Sequence, residues 1–211
     1  MSASWINKLN ESDSRLHKED VIKQALEASV LGSTNAINFL TFSRLCYNPY
    51  VTFGVRKVPD TVGIIDAENP WEEFDELLLA LGERKITGNT ALEAINNMSV
   101  RFTSEEWNKF CAPVIRRDLR CGISTTTINK ICKKTDYEIP VFACQLATNS
   151  EGRPEMKGKK RLEPKLDGVR VLMYVSRTKV GRKPADCSVI CYSRNGKIFD
   201  NFGHIEEQIR E

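Results

Sequence analysis

The hydrophobic pattern changes its period near residue 134, and that change limits what the chain folds into more than any other feature. Before it, apolar residues recur at helical spacing: "EDVIKQALEASV" carries Val21, Ile22, Ala25 and Leu26, and "TNAINFLTFSRL" carries Ile37, Leu40 and Phe42. Residues three and four apart share one face of a helix, so each run predicts a helix with one side in a core. "NPWEEFDELLLALG" adds boundary chemistry, with Asn69 as cap, Pro70 at the first helical position, acids in the first turn and Gly82 at the end. "TSEEWNKFCAPVIRRDL" opens with a capping box from Thr103 to Glu106. Pro113 is expected to kink or break that helix, because proline lacks the N–H and its ring crowds the preceding turn. "STTTINKICKK" gives a further helix capped by Ser124.

From about residue 139 the runs are short and rich in Val, Ile and aromatics: "IPVFACQLA", "VRVLMYVS" and "CSVICYS". "SRNGKIF" puts Asn195-Gly196 where a two-residue hairpin turn goes, "GRKPAD" is a loop, and "HIEEQIRE" starts a helix. The fold class expected is α+β. An all-helical N-terminal domain, 1–134, precedes an antiparallel-sheet domain, 139–211, with the boundary in "KKTDYEI". With 211 residues, 41% of them hydrophobic, the chain can bury two such cores. It contains no internal repeat and no low-complexity tract.

Charge divides the same way. Residues 1–100 hold 9 Lys+Arg against 14 Asp+Glu, while residues 101–211 hold 22 against 14, so an acidic first half is joined to a basic second half. A basic half suits a polyanionic partner, nucleic acid or nucleotide phosphate, and suits a solvated basic surface equally well. The seven cysteines (46, 111, 121, 132, 144, 187 and 191) are odd in number and mostly ten or more residues apart. That pattern points to reduced thiols used in packing and to a cytoplasmic setting. "CSVIC" with only two histidines in the chain makes a poor zinc site, and no metal ligand is assigned. The start lacks an apolar h-region, no window reaches a membrane span of roughly 18 apolar residues, and no membrane partner is expected.

The stretch "LEPKLDGVR", residues 162–170, is where chemistry concentrates. Lysine is nucleophilic only as the neutral amine, and at a pKa of about 10.4 fewer than about one in a thousand is neutral at pH 7. Cationic neighbours and desolvation lower that pKa, and Lys165 has Lys159, Lys160, Arg161 and Arg170 nearby with the apolar "VRVLMYV" downstream. Gly168 permits a tight turn and Asp167 can anchor it; the same four residues also suit a plain surface turn.

Lys-x-Asp-Gly-x-Arg, spanning Lys165 to Arg170, resembles the nucleotidyl-acceptor motif of the covalent nucleotidyltransferases, which include ATP-dependent DNA ligases, RNA ligases and mRNA capping enzymes. Glu163 two residues upstream, the later "YSRNGK" with Ser193-Arg194-Asn195-Gly196, and the earlier "IPVFACQLA" resemble further segments of the ATP-dependent DNA ligases. In the helical half, "ERKITGNTALEAI" and "VIRRDLRCGIS" are similar to segments of the DNA-binding domain that precedes the catalytic domain in cellular, archaeal and tailed-phage enzymes, the phage type being nearest.

The resemblance implies that residues 139–211 begin an antiparallel-sheet, ATP-grasp-like nucleotidyltransferase domain. It implies lysyl-AMP formation on Lys165 from ATP, transfer of AMP to a nick 5′-phosphate, and sealing by the 3′-hydroxyl, with magnesium neutralising the phosphates. Glu163 would accept from the adenine amino group, Arg170 would hold ribose and phosphate, and Arg194 would meet phosphate. Thr87, Gly88 and Asn89 would offer backbone N–H groups to DNA at a helix start, and Arg116, Arg117, Arg120 and Gly122 would do so in a basic loop. A capping turn with a solvated basic edge accounts for those seven residues as well. The implied setting is a monomer on nicked duplex DNA in replication, repair or recombination, in a host cytoplasm if the source is a phage, with a sliding clamp left open as partner. The family's later motifs and oligonucleotide-binding domain are not in these 211 residues. The chain alone is therefore expected to bind DNA but not to seal nicks. A non-catalytic nick-binding module, or an RNA ligase or capping-type enzyme, is the alternative.

Overall fold

The computed structural model describes residues 1–55, 57–61, 70–142, 159, 168–177 and 187–210. It divides into two compact units, Met1–Val141 and Phe142–Glu211. In the first unit the described elements are α1 (Ala3–Asn10), α2 (Arg15–Val30), α3 (Thr34–Tyr47), α4 (Trp71–Gly82), α5 (Gly88–Ser99), α6 (Ser104–Glu106), a π-helical turn (Trp107–Cys111), α7 (Ala112–Arg116) and α8 (Thr125–Cys132). The second contains β1 (Val171–Arg177), β2 (Cys187–Ser193) and α9 (Gly203–Arg210). The mixed helical and antiparallel-strand content is that of an α+β protein.

Helix α1 is absent from the periodic reading, because eight residues give too few repeats for a pattern and a short helix is marginal without tertiary support. Here Trp5, Ile6 and Leu9 are buried. The support comes from elsewhere in the chain: the carboxylate of Glu106 accepts the backbone N–H of Ser2 at 2.7 Å and of Ala3 at 3.2 Å. This revises the expected capping box. Thr103 Oγ1 does accept the Glu106 N–H at 3.2 Å, but the Glu106 side chain is spent on the start of α1, more than a hundred residues away. Burial pushes its pKa up, against the lowering effect of the N–H groups it accepts.

The helical run does not end at Pro113. The turn before it widens to π geometry, in which the Ala112 N–H donates to the Trp107 carbonyl, and the helix then runs on to Arg116. A wider turn relieves the crowding that proline imposes on the carbonyl four residues back. In α4, Pro70 occupies the cap position with Trp71 as the first helical residue, one position from expectation, and Asn69 lies outside the described residues. Past Gly82 the ending is made by Arg84 in the left-handed region, φ 57°, with Lys85 N–H bonding to Ala80 O at 2.9 Å and Arg84 N–H to Leu81 O at 3.2 Å. That is the Schellman pattern with arginine in the place that glycine usually takes. The cap by Ser124 is as expected, its Oγ accepting the Thr127 N–H at 3.3 Å.

The core of the first unit is aromatic at its centre. Phe39, Phe74, Trp107 and Phe110 are fully buried, and Phe42, Trp71, Phe74 and Phe102 meet edge-on or stacked at centroid distances of 4.9–5.6 Å. Trp107 keeps its indole N–H satisfied by donating to Pro59 O at 2.9 Å. Two asparagines hold loops as a strand neighbour would. Asn108 exchanges two hydrogen bonds with the backbone of Thr61, both 2.9 Å, and Asn129 two with Ile139, both 2.8 Å.

In the second unit β1 and β2 pair antiparallel from Val171↔Ser193 to Arg177↔Cys187. After β2 the chain reverses and Ile198 pairs back with Tyr192. Asn195-Gly196 does sit in this reversal, as the sequence suggests, but the turn type differs. A two-residue turn of the Asn-Gly kind needs both residues left-handed, and only Gly196, φ 77°, is so. Gly196 N–H donates to Ser193 O at 2.9 Å and Ser193 N–H to Lys197 O at 2.7 Å, a three-residue loop closed by a glycine bulge. A Cβ on Gly196 would also lie 2.7 Å from the Phe142 ring, so glycine is required there twice over. Helix α9 forms where "HIEEQIRE" suggests, starting at Gly203.

Candidate nucleotide and nucleic-acid site

Lys165, Glu163 and Asp167 lie outside the described residues; Gly168, Arg170 and Arg194 lie within them. The strand register relates the last two. Val171 pairs with Ser193, so Arg170 is the residue just before β1 and Arg194 the residue just after β2, at the same end of the hairpin. Motifs 24 residues apart in sequence thus end together, and both arginines are exposed. Ser193 builds the turn that carries Arg194: its Oγ accepts the Lys197 N–H at 3.0 Å. Gly168 has φ outside the left-handed region, and a Cβ there would meet nothing within 4 Å; the turn residues before it lie outside the described residues.

In the helical unit the residues singled out by sequence fall into two groups. Thr87, Gly88 and Asn89 are exposed at the start of α5. Thr87 is extended, with φ −148°, and no side chain caps the turn. Gly88 has φ 58°. The first-turn N–H groups of a helix have no intrahelical acceptor, so this end presents donors to solvent.

The basic loop has more internal structure than its sequence reveals. Arg117 is left-handed, φ 62°, and ends α7. Its guanidinium donates to Cys46 O at 3.2 Å and to Asn48 O at 2.5 Å, the latter shared with the Val51 N–H at 3.3 Å, at the end of α3. Arg116 donates to Val58 O and, at 3.0 Å, to the exposed carboxylate of Asp60, fastening the segment before α4. Arg120 is exposed and left-handed, φ 51°, with its guanidinium 3.8 Å from Asp118. Gly122 has φ 65°, and a Cβ there would lie 2.2 Å from Lys18 Nζ. Lys18 itself is buried and donates to Cys121 O at 2.9 Å. So the loop is positioned by Lys18 from α2 and Arg117 into α3, and Arg120 is the guanidinium it holds outward. Lys18, Asn108 and Asn129 were not legible as positioning residues, since each acts on backbone groups far away in sequence.

Five of the cysteines serve packing. Cys46, Cys111, Cys121, Cys132 and Cys191 are free and buried. Burial pushes the Cys46 thiol up to about 12 and those of Cys121 and Cys132 up to about 11, so they stay protonated and unreactive at neutral pH. Among the described residues no group of three or more His, Cys, Asp or Glu could hold a metal ion, and no helix is long and apolar enough to cross a membrane.

No family model matches the chain, and no curated protein does. Solved structures do. The chain is similar to one named Pmar-Lig_PreS3, with a TM-score of 0.80 and 40% identity over 100% of this chain and 46% of that one. A second, named Pmar-Lig_Pre, gives a TM-score of 0.79 and 39% identity, again over 100% and 46%. The chain spans less than half the length of these relatives. Its fold, along its whole length, is of the same kind as 46% of the length of proteins whose names carry the abbreviation for ligase.

Proposed function

We propose that this chain belongs to an ATP-dependent DNA ligase of the tailed-phage type that seals nicks through a lysyl-AMP intermediate. The carrying observation is the run from Glu163 to Arg170 in a chain 40% identical, over its full length, to Pmar-Lig_PreS3. The activity is that of the whole protein, of whose relatives this chain spans 46%. The helical unit grips duplex DNA, and the second unit opens the nucleotidyltransferase domain.

In the first step the neutral amine of Lys165 attacks the α-phosphorus of ATP. The bond to the bridging oxygen breaks, pyrophosphate leaves with the electron pair, and the nitrogen loses a proton. An oxygen of the nick 5′-phosphate then attacks the same phosphorus and the N–P bond breaks, returning the lysine. Finally the 3′-hydroxyl attacks the 5′-phosphorus, loses its proton and expels AMP as the phosphodiester forms. Glu163 accepts from the adenine amino group, Arg170 holds ribose and phosphate, and Arg194, at the same end of the hairpin, meets phosphate. Gly168 leaves space beside the motif for a ligand to approach the backbone closely. Magnesium would neutralise phosphate charge, on which in-line transfer depends. The described residues offer it no ligand set, and no step above depends on one.

On the DNA side, Arg120 and the exposed N–H groups of Thr87, Gly88 and Asn89 contact phosphates, while Arg116, Arg117 and Gly122 shape the loop that presents Arg120. Such contacts fix position without reading sequence. The decisive assay incubates the protein with ATP labelled at the α-phosphate and magnesium, then adds a nicked duplex. Label should attach to the protein, be discharged by the nick, and be lost in Lys165→Ala. Label on that variant, or AMP located by mass on another lysine, overturns the assignment.

A further inference from the structure

A pocket of about 270 Å³ opens on the helical unit beside α4. We infer that it docks a basic peptide segment of a second protein, taking one bulky apolar side chain flanked by lysine or arginine.

The pocket arises because α4 has more leucine than its core face can take. Phe74, Leu77, Leu78 and Leu81 are buried. The neighbouring row, Asp75, Leu78, Leu79 and Gly82, forms one wall of the pocket, and Leu79 remains 57% exposed. The spacing of that row, three and four residues, sets its members one above another on a single face. The opposite wall is the segment leaving α3, with Tyr50, Val51 and Phe53, and Leu45 closes the end. Tyr50, 48% exposed, is held in place by its N–H to Asn48 Oδ1 at 3.0 Å. A Cβ on Gly82 would lie at ordinary contact distance, 3.8 Å, from Val51 across the pocket. The volume suits one large side chain rather than a drug-sized ligand.

Charge selects the occupant. Asp75 and Glu83 stand at the rim, and Glu72 and Glu76 continue the acidic face of α4. Glu83 pairs with Lys85 at 2.6 Å, whereas Asp75 has no ion pair among the described residues. An acidic rim repels nucleic acid and favours a cationic segment, and the apolar walls require a side chain to fill them. This inference does not rest on the ligase reading.

The test titrates the isotope-labelled 211-residue chain with the capped tripeptide acetyl-Lys-Phe-Arg-amide and with acetyl-Glu-Phe-Glu-amide, following backbone amide shifts. The basic peptide should give saturable shifts confined to Leu45, Tyr50–Phe53 and Asp75–Glu83, with the acidic one binding about threefold more weakly, as the one exposed charge pair open at Asp75 implies. Asp75→Asn with Glu83→Gln should erase that preference, and Leu79→Ser should weaken both peptides, all without change in thermal midpoint. No saturable shift, equal affinity for the two peptides, or shifts located at the Arg120 loop would overturn the inference. Failure of the same chain to bind a nicked duplex would count against the ligase reading and leave this one standing.

Discussion

Arg117 and Arg120 are three residues apart, both basic and both left-handed, yet they act on different things. Arg117 donates to two main-chain carbonyls at the end of α3, whereas among the described residues the Arg120 guanidinium reaches only an exposed Asp118 at 3.8 Å. Arg117→Ala should therefore cost about 2 kcal/mol of stability, the usual range for charged donors lost from protein acceptors. Arg120→Ala should stay within about 0.5 kcal/mol in stability and lower the salt slope of DNA binding by about 1. Urea unfolding and binding at several salt concentrations measure both; equal effects of the two changes on stability would refute the division. Gly122→Ala should cost more than about 1 kcal/mol, from the left-handed backbone and from displacing Lys18 off Cys121 O. A neutral result in urea would mean that the loop has room the close approach denies.

Among the elements, α1 depends most plainly on something distant. Its first N–H groups are satisfied by Glu106, so Glu106→Ala should destabilise the fold by about 1–2 kcal/mol, as loss of a helix cap does. The pH dependence has a definite sign. Burial raises the folded pKa of Glu106 above its ordinary 4.5, so the folded state holds the proton more tightly than the unfolded chain. The stability gained from the protonated form is complete below pH 4.5 and lost as pH rises through the raised value. Glu106→Gln does not titrate. The stability of the native protein relative to this variant should thus fall as pH rises above 4.5, measured by urea unfolding at each pH. A pH-independent difference would remove burial as the governing influence. The π turn before Pro113 has the same lesson at element scale: proline sets a local conflict, and the wider turn resolves it without ending the helix.

For the whole molecule, the proposed function together with the basic residues 101–211 predicts that duplex binding is driven by released counterions. Affinity for nicked DNA should fall linearly in log–log against salt, with a slope of about −0.9 per phosphate neutralised, and should vary little with sequence. Fluorescence anisotropy on two unrelated nicked duplexes checks this, and salt-insensitive or sequence-dependent affinity would overturn the phosphate-contact reading.

The sequence by itself determined the helical and strand periods, the Ser124 cap, the reversal at Asn195-Gly196, and the run from Glu163 to Arg170, because each depends on residues within about one or two turns of one another. It also assigned the cysteines to packing, since an odd, scattered set has no pairing pattern. Only the tertiary structure decided that Glu106 caps α1, that Arg117 holds the end of α3, that Lys18 fixes the loop at Gly122, and that Arg170 and Arg194 share one end of a hairpin. Those choices join residues that are distant in sequence. A carboxylate or guanidinium looks the same in a sequence whether it will face solvent, phosphate or a buried carbonyl, and which of these it meets is set by where the chain's other elements pack.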